Sequence, residues 1–250
     1  MRRRAVIHIA ETLSIRTVEG FLKPDEIERL NLVMDATLGS LGRDRYGTAR
    51  RTTIHEIPGH SPAEAQDVYE PAGRIEVTEI PYEATALLDQ ALKLHMAAIT
   101  RTLPSVTGHR PWIYLEYGSG QYITPHADGI APDPLTRPRQ VAAATVTLTD
   151  IHDTGGAFYV ETTGSDAVWT ADEAPTGSGY AEGMRFAHDG TDMSSPWFRT
   201  MPRTRWSVAP APGTLVVFGS QLIHGTAPVR ADRVRKFLTL FVSEWEASPP

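Results

Sequence analysis

The sequence predicts a mainly β fold, a β-sandwich or jelly roll with helices packed outside one of its sheets. Both long helical repeats fall before residue 110, and after it the apolar residues come in short runs separated by turn residues. Helices first and many strands later suits a layered β domain, not the strand–helix alternation of a parallel sheet.

In chain order, apolar runs at 6–9 and 14–18 read as short strands. A helix then starts at Pro24, whose fixed φ suits the first helical position, with Asp25 and Glu26 at the positive end of the helix dipole. Ile27, Leu30, Met34 and Leu38 recur at helical spacing and form one apolar stripe, which Gly39 and Gly42 end. Residues 43–62 are polar, rich in Arg and broken by Gly and Pro, and read as loop with a strand near 52–57. A second helix is expected from Tyr82 to Leu103, with Leu87, Leu88, Ala91, Leu94, Ala98 and Ile99 on its buried side; Pro104 and Gly108 end it. Strands are expected at 112–117, 121–126, 141–149, 157–161, 214–218 and 235–242. Residues 162–207, rich in Gly, Ser, Thr, Asp and Pro but carrying Trp169, Trp197 and Trp206, are too long for an ordinary connection. They are expected to form a mobile cap, an insertion in a single domain spanning 1–250.

Composition narrows the function classes. With 250 residues, 41% hydrophobic and 22% charged, the chain is ordinary for a globular protein. One core of that size buries about three-quarters of the unfolded surface. The absence of Cys excludes disulfides, thiolate metal sites and a Cys nucleophile. A net charge of −6 disfavours generic nucleic-acid binding. No apolar run approaches the length of a membrane span. The basic start Met1-Arg2-Arg3-Arg4 is followed by too short an apolar stretch, interrupted by His8, to read as a signal peptide. The expectation is a soluble cytoplasmic protein with no nucleic-acid or membrane partner.

The most informative residues are His126-Ala127-Asp128, His224 ninety-six positions after the Asp, and Arg235 eleven beyond that. In a strand, positions i and i+2 point to one side, so His126 and Asp128 can reach one ion from a single strand end. Two imidazoles and a carboxylate can fill one face of an octahedral ion and leave three positions open, the arrangement of non-heme Fe(II) oxygenases. Zinc would accept the same donors plus water, which keeps a non-oxidative cupin-like metal protein as an alternative. Arg235, Phe237, Thr239 and Phe241 share one face of a strand, so Arg235 is expected to point into the interior. There it would need an anionic partner, and a dicarboxylic cosubstrate would supply one. A hydrolase has no need of such a clamp. His55, His60, His95, His109, His152 and His188 read as surface or capping residues, and Arg43, Arg45, Arg50 and Arg51 as a solvated loop.

Several blocks carry a resemblance: Tyr117-Gly118-Ser119-Gly120-Gln121-Tyr122-Ile123-Thr124-Pro125-His126-Ala127-Asp128, then Gly155-Gly156-Ala157-Phe158, then Pro212-Gly213-Thr214-Leu215-Val216-Val217-Phe218, then His224 with Pro228-Val229, then Arg235-Lys236-Phe237-Leu238. In that order they resemble the motif blocks of the prolyl-4-hydroxylase-like Fe(II)/2-oxoglutarate-dependent dioxygenases, over about residues 111–245. The resemblance implies a double-stranded β-helix, the cupin-like form of the jelly roll, with the N-terminal helices packed on one sheet. It implies Fe(II) held by His126, Asp128 and His224, with 2-oxoglutarate and O2 as co-reactants. Arg235, or Arg233 nine positions after His224, would clamp the distal carboxylate of 2-oxoglutarate, Tyr117 would line its pocket, and Thr147 would offer a hydroxyl. The implied activity is hydroxylation or another oxidation of an unactivated C–H, and the long insert with its Trp and Gly residues favours a small molecule as substrate, such as an amino acid or specialised metabolite, over a peptide in an open groove. A peptidyl prolyl hydroxylase is the alternative. Asp128 stands where related halogenases carry a small residue, so halogenation is not expected.

Overall fold

The computed structural model describes residues 5–47, 50, 52–57, 59–128, 134–230 and 232–244. Its helices are α1 (Ile9–Thr12), α2 (Pro24–Leu41), α3 (Pro62–Tyr69), α4 (Tyr82–Thr100) and α5 (Pro196–Thr200). Its strands are β1 (Ile15–Val18), β2 (Ile75–Val77), β3 (Gly108–His109), β4 (Ile113–Tyr117), β5 (Ile123–His126), β6 (Arg139–Thr147), β7 (Phe158–Thr162), β8 (Thr204–Val208), β9 (Leu215–Gly219), β10 (Ile223–Thr226) and β11 (Val234–Ser243). Seven strands form one antiparallel sheet in the order β1-β9-β6-β11-β4-β2, with β3 pairing β11 at its far end. Four form a second, in the order β5-β10-β7-β8. This is the double-stranded β-helix with helices on one sheet that the sequence predicts.

The larger sheet is buried on both faces. Toward the helices, Tyr114, Ala142, Ala144, Val146, Leu215, Val217, Phe237 and Phe241 pack with Leu30, Met34 and Leu38 of α2 and Ala84, Leu88, Ala91, Leu92 and Ile99 of α4. Toward the smaller sheet, Ala143, Val216 and Phe218 meet Phe158 and Val160, while Leu115, Tyr117 and Val234 meet Ile123 and Val229. Sandwiched strands carry apolar side chains on both sides and read as near-continuous runs rather than alternating ones. β6 and β11 do so, and the consequence for Arg235 appears below.

Helix α2 begins at Pro24 as expected, with the Lys23 backbone N–H donating to the Glu26 carboxylate at 2.8 Å. In α4 the buried side is set by the four-residue spacing of Ala84, Leu88 and Leu92, and Leu94 of the expected stripe is 72% exposed. Two expected strands do not form. At 6–9 only Ile7 makes a bridge, to Tyr180, and the chain turns into α1; residues 52–57 run as a loop. Helix α3 was not anticipated, although Ser61 and Glu64 write a capping box: the Glu64 N–H donates to Ser61 Oγ at 3.3 Å, and the Ser61 N–H donates back to the Glu64 carboxylate at 2.7 Å.

The segment 162–207 is the one expected to form a cap. It is folded against the body, ending in β8, which pairs with β7. Val168 and Phe198 pack on Ile223 of β10, and Tyr180, Met184 and Phe186 join the helix-side core. The Ala127 N–H, between His126 and Asp128, donates to the Thr191 carbonyl at 3.1 Å, and Asp192 accepts from the Tyr69 hydroxyl at 2.9 Å. Trp169 and Trp197 thus have apolar partners within the chain, while Trp206 on β8 is 58% exposed. Among the described residues no helix is long and apolar enough to cross a membrane.

Candidate active site

His126 ends β5, His224 lies in β10, and the two are register partners across the smaller sheet. Each ring is fixed the same way: Nδ1 lies 2.9 Å from the carbonyl two residues earlier, Thr124 for His126 and Leu222 for His224. A carbonyl can only accept, so Nδ1 carries the proton and Nε2 presents its lone pair. Such an outer partner sets tautomer and orientation in metal-ligating histidines. Asp128, two residues past the strand, brings Oδ1 to 3.4 Å from His126 Nε2 and 3.8 Å from His224 Nε2. Donors about 2.1 Å from one ion stand about 3 Å apart when adjacent and about 4.2 Å when opposite, so these separations suit Asp128 sharing one ion with each imidazole. His126 Nε2 is buried with no hydrogen-bond partner, as a ligand atom would be without its ion. The other carboxylate oxygen of Asp128 accepts from Gln140 Nε2 at 3.1 Å.

Between His224 and Thr226 the chain needs glycine. A Cβ on Gly225 would lie 2.3 Å from the Tyr159 hydroxyl and 2.7 Å from the Ile123 carbonyl. Its absence lets Tyr159 donate to that carbonyl at 3.0 Å, tying β7 to β5 beside both histidines. Electrostatics sets the protonation a divalent ion requires. Burial pulls His224 down to about 4, which leaves the ring neutral. Burial pushes Asp128 up, but His224, His126 and Gln140 outweigh it and hold the carboxyl below its ordinary value.

The triad opens into a cavity of about 570 Å³ between the sheets, also lined by Tyr117, Arg74, Thr226 and Lys236. The Lys236 ammonium donates to the Gly156 carbonyl at 2.9 Å and stands 3.5 Å from Thr226 Oγ1. No carboxylate pairs with it among the described residues. Burial, with the Arg74 charge nearby, pulls it down to about 7. Arg74 differs: it pairs with Glu76 at 2.6 Å and Glu70 at 3.1 Å, and donates to the Tyr117 hydroxyl at 3.0 Å. Among the described residues, Lys236 is thus a buried cation in the cavity with no counter-charge.

The structure corrects the expectation for Arg235. Its guanidinium points to the helix side, donating to Asn31 at 2.9 Å and Asp35 at 2.5 Å on α2 and pairing with Glu116 at 3.3 Å. Arg233 is half exposed and reaches only Glu116, at 3.9 Å. The face shared by Arg235, Phe237 and Phe241 exists, but it is the helix-facing one. Lys236, Leu238 and Leu240 are the residues that line the cavity. Thr147 is the register partner of Lys236, yet its hydroxyl donates to the Thr149 carbonyl at 3.1 Å and does not line the cavity; Thr226 supplies the hydroxyl there. Replacing Arg235 by Ala is expected to lower stability in denaturant unfolding by about 1–3 kcal/mol, since a buried charge network loses a member. The 2-oxoglutarate requirement should stay unchanged.

Two further residues escaped the sequence reading. His55 lies in the cavity wall, its ring centroid 4.6 Å from that of His126 and 4.5 Å from that of Tyr69. Arg50, expected on a solvated loop, is buried in an ion pair with Glu70, and Arg43 pairs with Glu116; Arg51 and residues 1–4 lie outside the described residues. No local pattern marks either, because their partners come from α3 and β2. Of the other histidines, His95 packs on Phe21, and His109 and His188 hydrogen-bond to neighbouring carbonyls.

Comparison with known proteins agrees with this geometry. Residues 112–243, over half of the chain, match the 2OG-Fe(II) oxygenase superfamily. Solved structures with the same fold include a viral collagen prolyl hydroxylase from Paramecium Bursaria Chlorella virus-1, at 14% identity and TM-score 0.52 over 95% of this chain and 99% of that one. AviO1 from Streptomyces viridochromogenes Tue57 is similar at 16% identity and TM-score 0.53, over 96% and 93%. SnoK, a non-heme alpha ketoglutarate dependent carbocyclase from nogalamycin biosynthesis, is similar at 14% identity and TM-score 0.54, over 93% and 80%. No curated protein matches the sequence. The chain belongs to the 2OG-Fe(II) oxygenase superfamily and is an enzyme of that class, a dioxygenase dependent on Fe(II), 2-oxoglutarate and O2.

Proposed function

We propose that this enzyme oxidises an unactivated C–H bond of a small molecule, such as an amino acid or specialised metabolite, with His126, Asp128 and His224 holding the iron and Lys236 holding the distal carboxylate of 2-oxoglutarate. The observation that carries the reading is one cavity that joins the triad to a buried, uncompensated ammonium. Iron bound there supplies the oxidising chemistry, in which 2-oxoglutarate loses CO2 to become succinate, one oxygen atom of O2 entering succinate and the other being available to the substrate. The protein orients and encloses. The two backbone-anchored imidazoles and the Gln140-held carboxylate would hold the ion, with the co-reactants taking the coordination positions these three donors would not fill. Lys236 gives the 2-oxoglutarate carboxylate a charge-assisted partner with Thr226 beside it, and Tyr117, held by Arg74, forms the adjoining wall.

The small-molecule reading rests on the cavity. Its volume of about 570 Å³ suits a small ligand, and both sheets and the loop carrying His55 surround it. The likeness extends alike to prolyl hydroxylases and to a carbocyclase, so the fold does not choose between peptide and metabolite. Domain organisation follows the same reading: one oxygenase domain, with 162–207 as an insertion that stiffens the wall beside Asp128. Tyr180 and Phe186 from it line a smaller cavity that adjoins Asp128 and Gln140. The test is succinate formation with Fe(II), 2-oxoglutarate and O2 against two panels, amino acids with other small metabolites, and proline-rich peptides. Stimulation above the uncoupled background by a member of the first panel is expected. Stimulation confined to the peptides would overturn the small-molecule reading.

A further inference from the structure

His55 places a further nitrogen beside the triad. One ring nitrogen of His55, one ring nitrogen of His126 and one carboxylate oxygen of Asp128 lie within 4.8 Å of one another. The His55 ring packs edge-on against His126, at 70° and 4.6 Å, and tilted against Tyr69, at 31° and 4.5 Å. Its Nδ1 is buried and has no hydrogen-bond partner. A neutral imidazole has one lone pair and one N–H to satisfy, so a buried unpartnered ring nitrogen asks for a ligand.

The loop that carries His55 is built. The Ile54 N–H donates to Glu76 at 3.0 Å, the Thr53 hydroxyl donates to Glu70 at 3.4 Å, and the His55 N–H donates to the Thr53 hydroxyl at 3.3 Å. Glu70 and Glu76 are themselves paired with Arg50 and Arg74 inside the fold. A buried cluster of two arginines and two glutamates thus sets the backbone on the N-terminal side of His55 and aims the ring at the cavity. The His55 backbone is held by these contacts.

The geometry points to His55 as a fourth, exchangeable protein ligand of the metal. This rests on His126, Asp128 and His224 being the other three. Three protein donors leave three positions on an octahedral ion. His55 closes one of them in the cosubstrate-free protein, and a turn about its side-chain bonds opens it when 2-oxoglutarate arrives. A resting ion held by four side chains is retained more tightly and is less open to water than one held by three.

The probe is Co(II) alone, bound to the full chain in place of iron. Proton NMR of the Co(II) protein then counts imidazole rings with the large contact shifts that direct bonding gives. Three such rings are expected in the wild type and two in His55→Gln, with at least about tenfold weaker Co(II) binding. His55→Phe keeps an aromatic ring against His126 and Tyr69 without a donor nitrogen, and should match His55→Gln. Adding 2-oxoglutarate to the wild type should remove the third ring from the contact-shifted set. Two rings in the wild type, one lost in each of His126→Ala and His224→Ala, would overturn the role of His55 and leave the triad intact. Failure of those two variants to remove a ring would instead overturn the triad.

Discussion

His126→Ala and His224→Ala are each expected to abolish 2-oxoglutarate turnover and to weaken Fe(II) binding by more than about 100-fold. Changes to residues that merely orient metal ligands cost 10–100-fold, and loss of a ligand itself should cost more. The two rings are equivalent in their support, each with Nδ1 fixed by a carbonyl 2.9 Å away. Neither change should unfold the protein. His126 Nε2 has no hydrogen-bond partner to lose. Isothermal titration with Fe(II) under anaerobic conditions, alongside succinate formation, checks both outcomes. A His224→Ala protein that binds Fe(II) as tightly as the wild type would remove His224 from the site.

Lys236→Met is expected to raise the 2-oxoglutarate KM by one to three orders of magnitude with Fe(II) binding retained. Truncating one partner of a buried charge pair costs about 2–5 kcal/mol, and each 1.4 kcal/mol is about tenfold. The pH dependence follows from the direction of the shift. Burial lowers Lys236 to about 7 in the cosubstrate-free protein, so the cation is present below that pH and lost above it. A bound dicarboxylate raises the lysine again, so binding above pH 7 takes up a proton. Affinity for 2-oxoglutarate should then fall by up to about tenfold per unit as pH rises from 7 toward the raised value, a slope that Lys236→Met should flatten. The same linkage predicts a stability effect of opposite sign. The unfolded lysine holds its proton up to its ordinary pKa near 10.5. Between about 7 and that value the unfolded chain binds more protons than the folded one, so stability rises with pH across this window. At neutral pH and below, the buried cation is a net cost, and Lys236→Met should stabilise the cosubstrate-free protein by about 1–3 kcal/mol. An unchanged KM in this variant would show that the distal carboxylate sits elsewhere.

The contrast between Lys236 and Arg235 shows what sequence can carry here. Elements whose signal is local were legible: α2 from Pro24 and its stripe, and most strands after residue 110. The His126–Asp128 spacing was legible because a strand end fixes i and i+2 to one side. The face of β11 was not. Arg235-Lys236-Phe237-Leu238 lies in a strand covered by helices on one side and by the second sheet on the other, so both faces are apolar and alternation does not say which is inside. His55 was invisible for a different reason. Its position depends on Glu70 and Glu76, which reach it from α3 and β2, and no spacing along the chain records that. The course of the 162–207 segment was not legible from composition: its Gly and Pro content does not record that Val168, Tyr180, Phe186 and Phe198 bury themselves against the body.

The most direct test of the central claim is an anaerobic titration of the Fe(II)-loaded protein with 2-oxoglutarate, followed by visible absorption. If His126, Asp128 and His224 leave adjacent positions open and Lys236 receives the far carboxylate, a weak charge-transfer band should grow and saturate at one 2-oxoglutarate per iron. Full Fe(II) loading with no band at saturating 2-oxoglutarate would contradict the account.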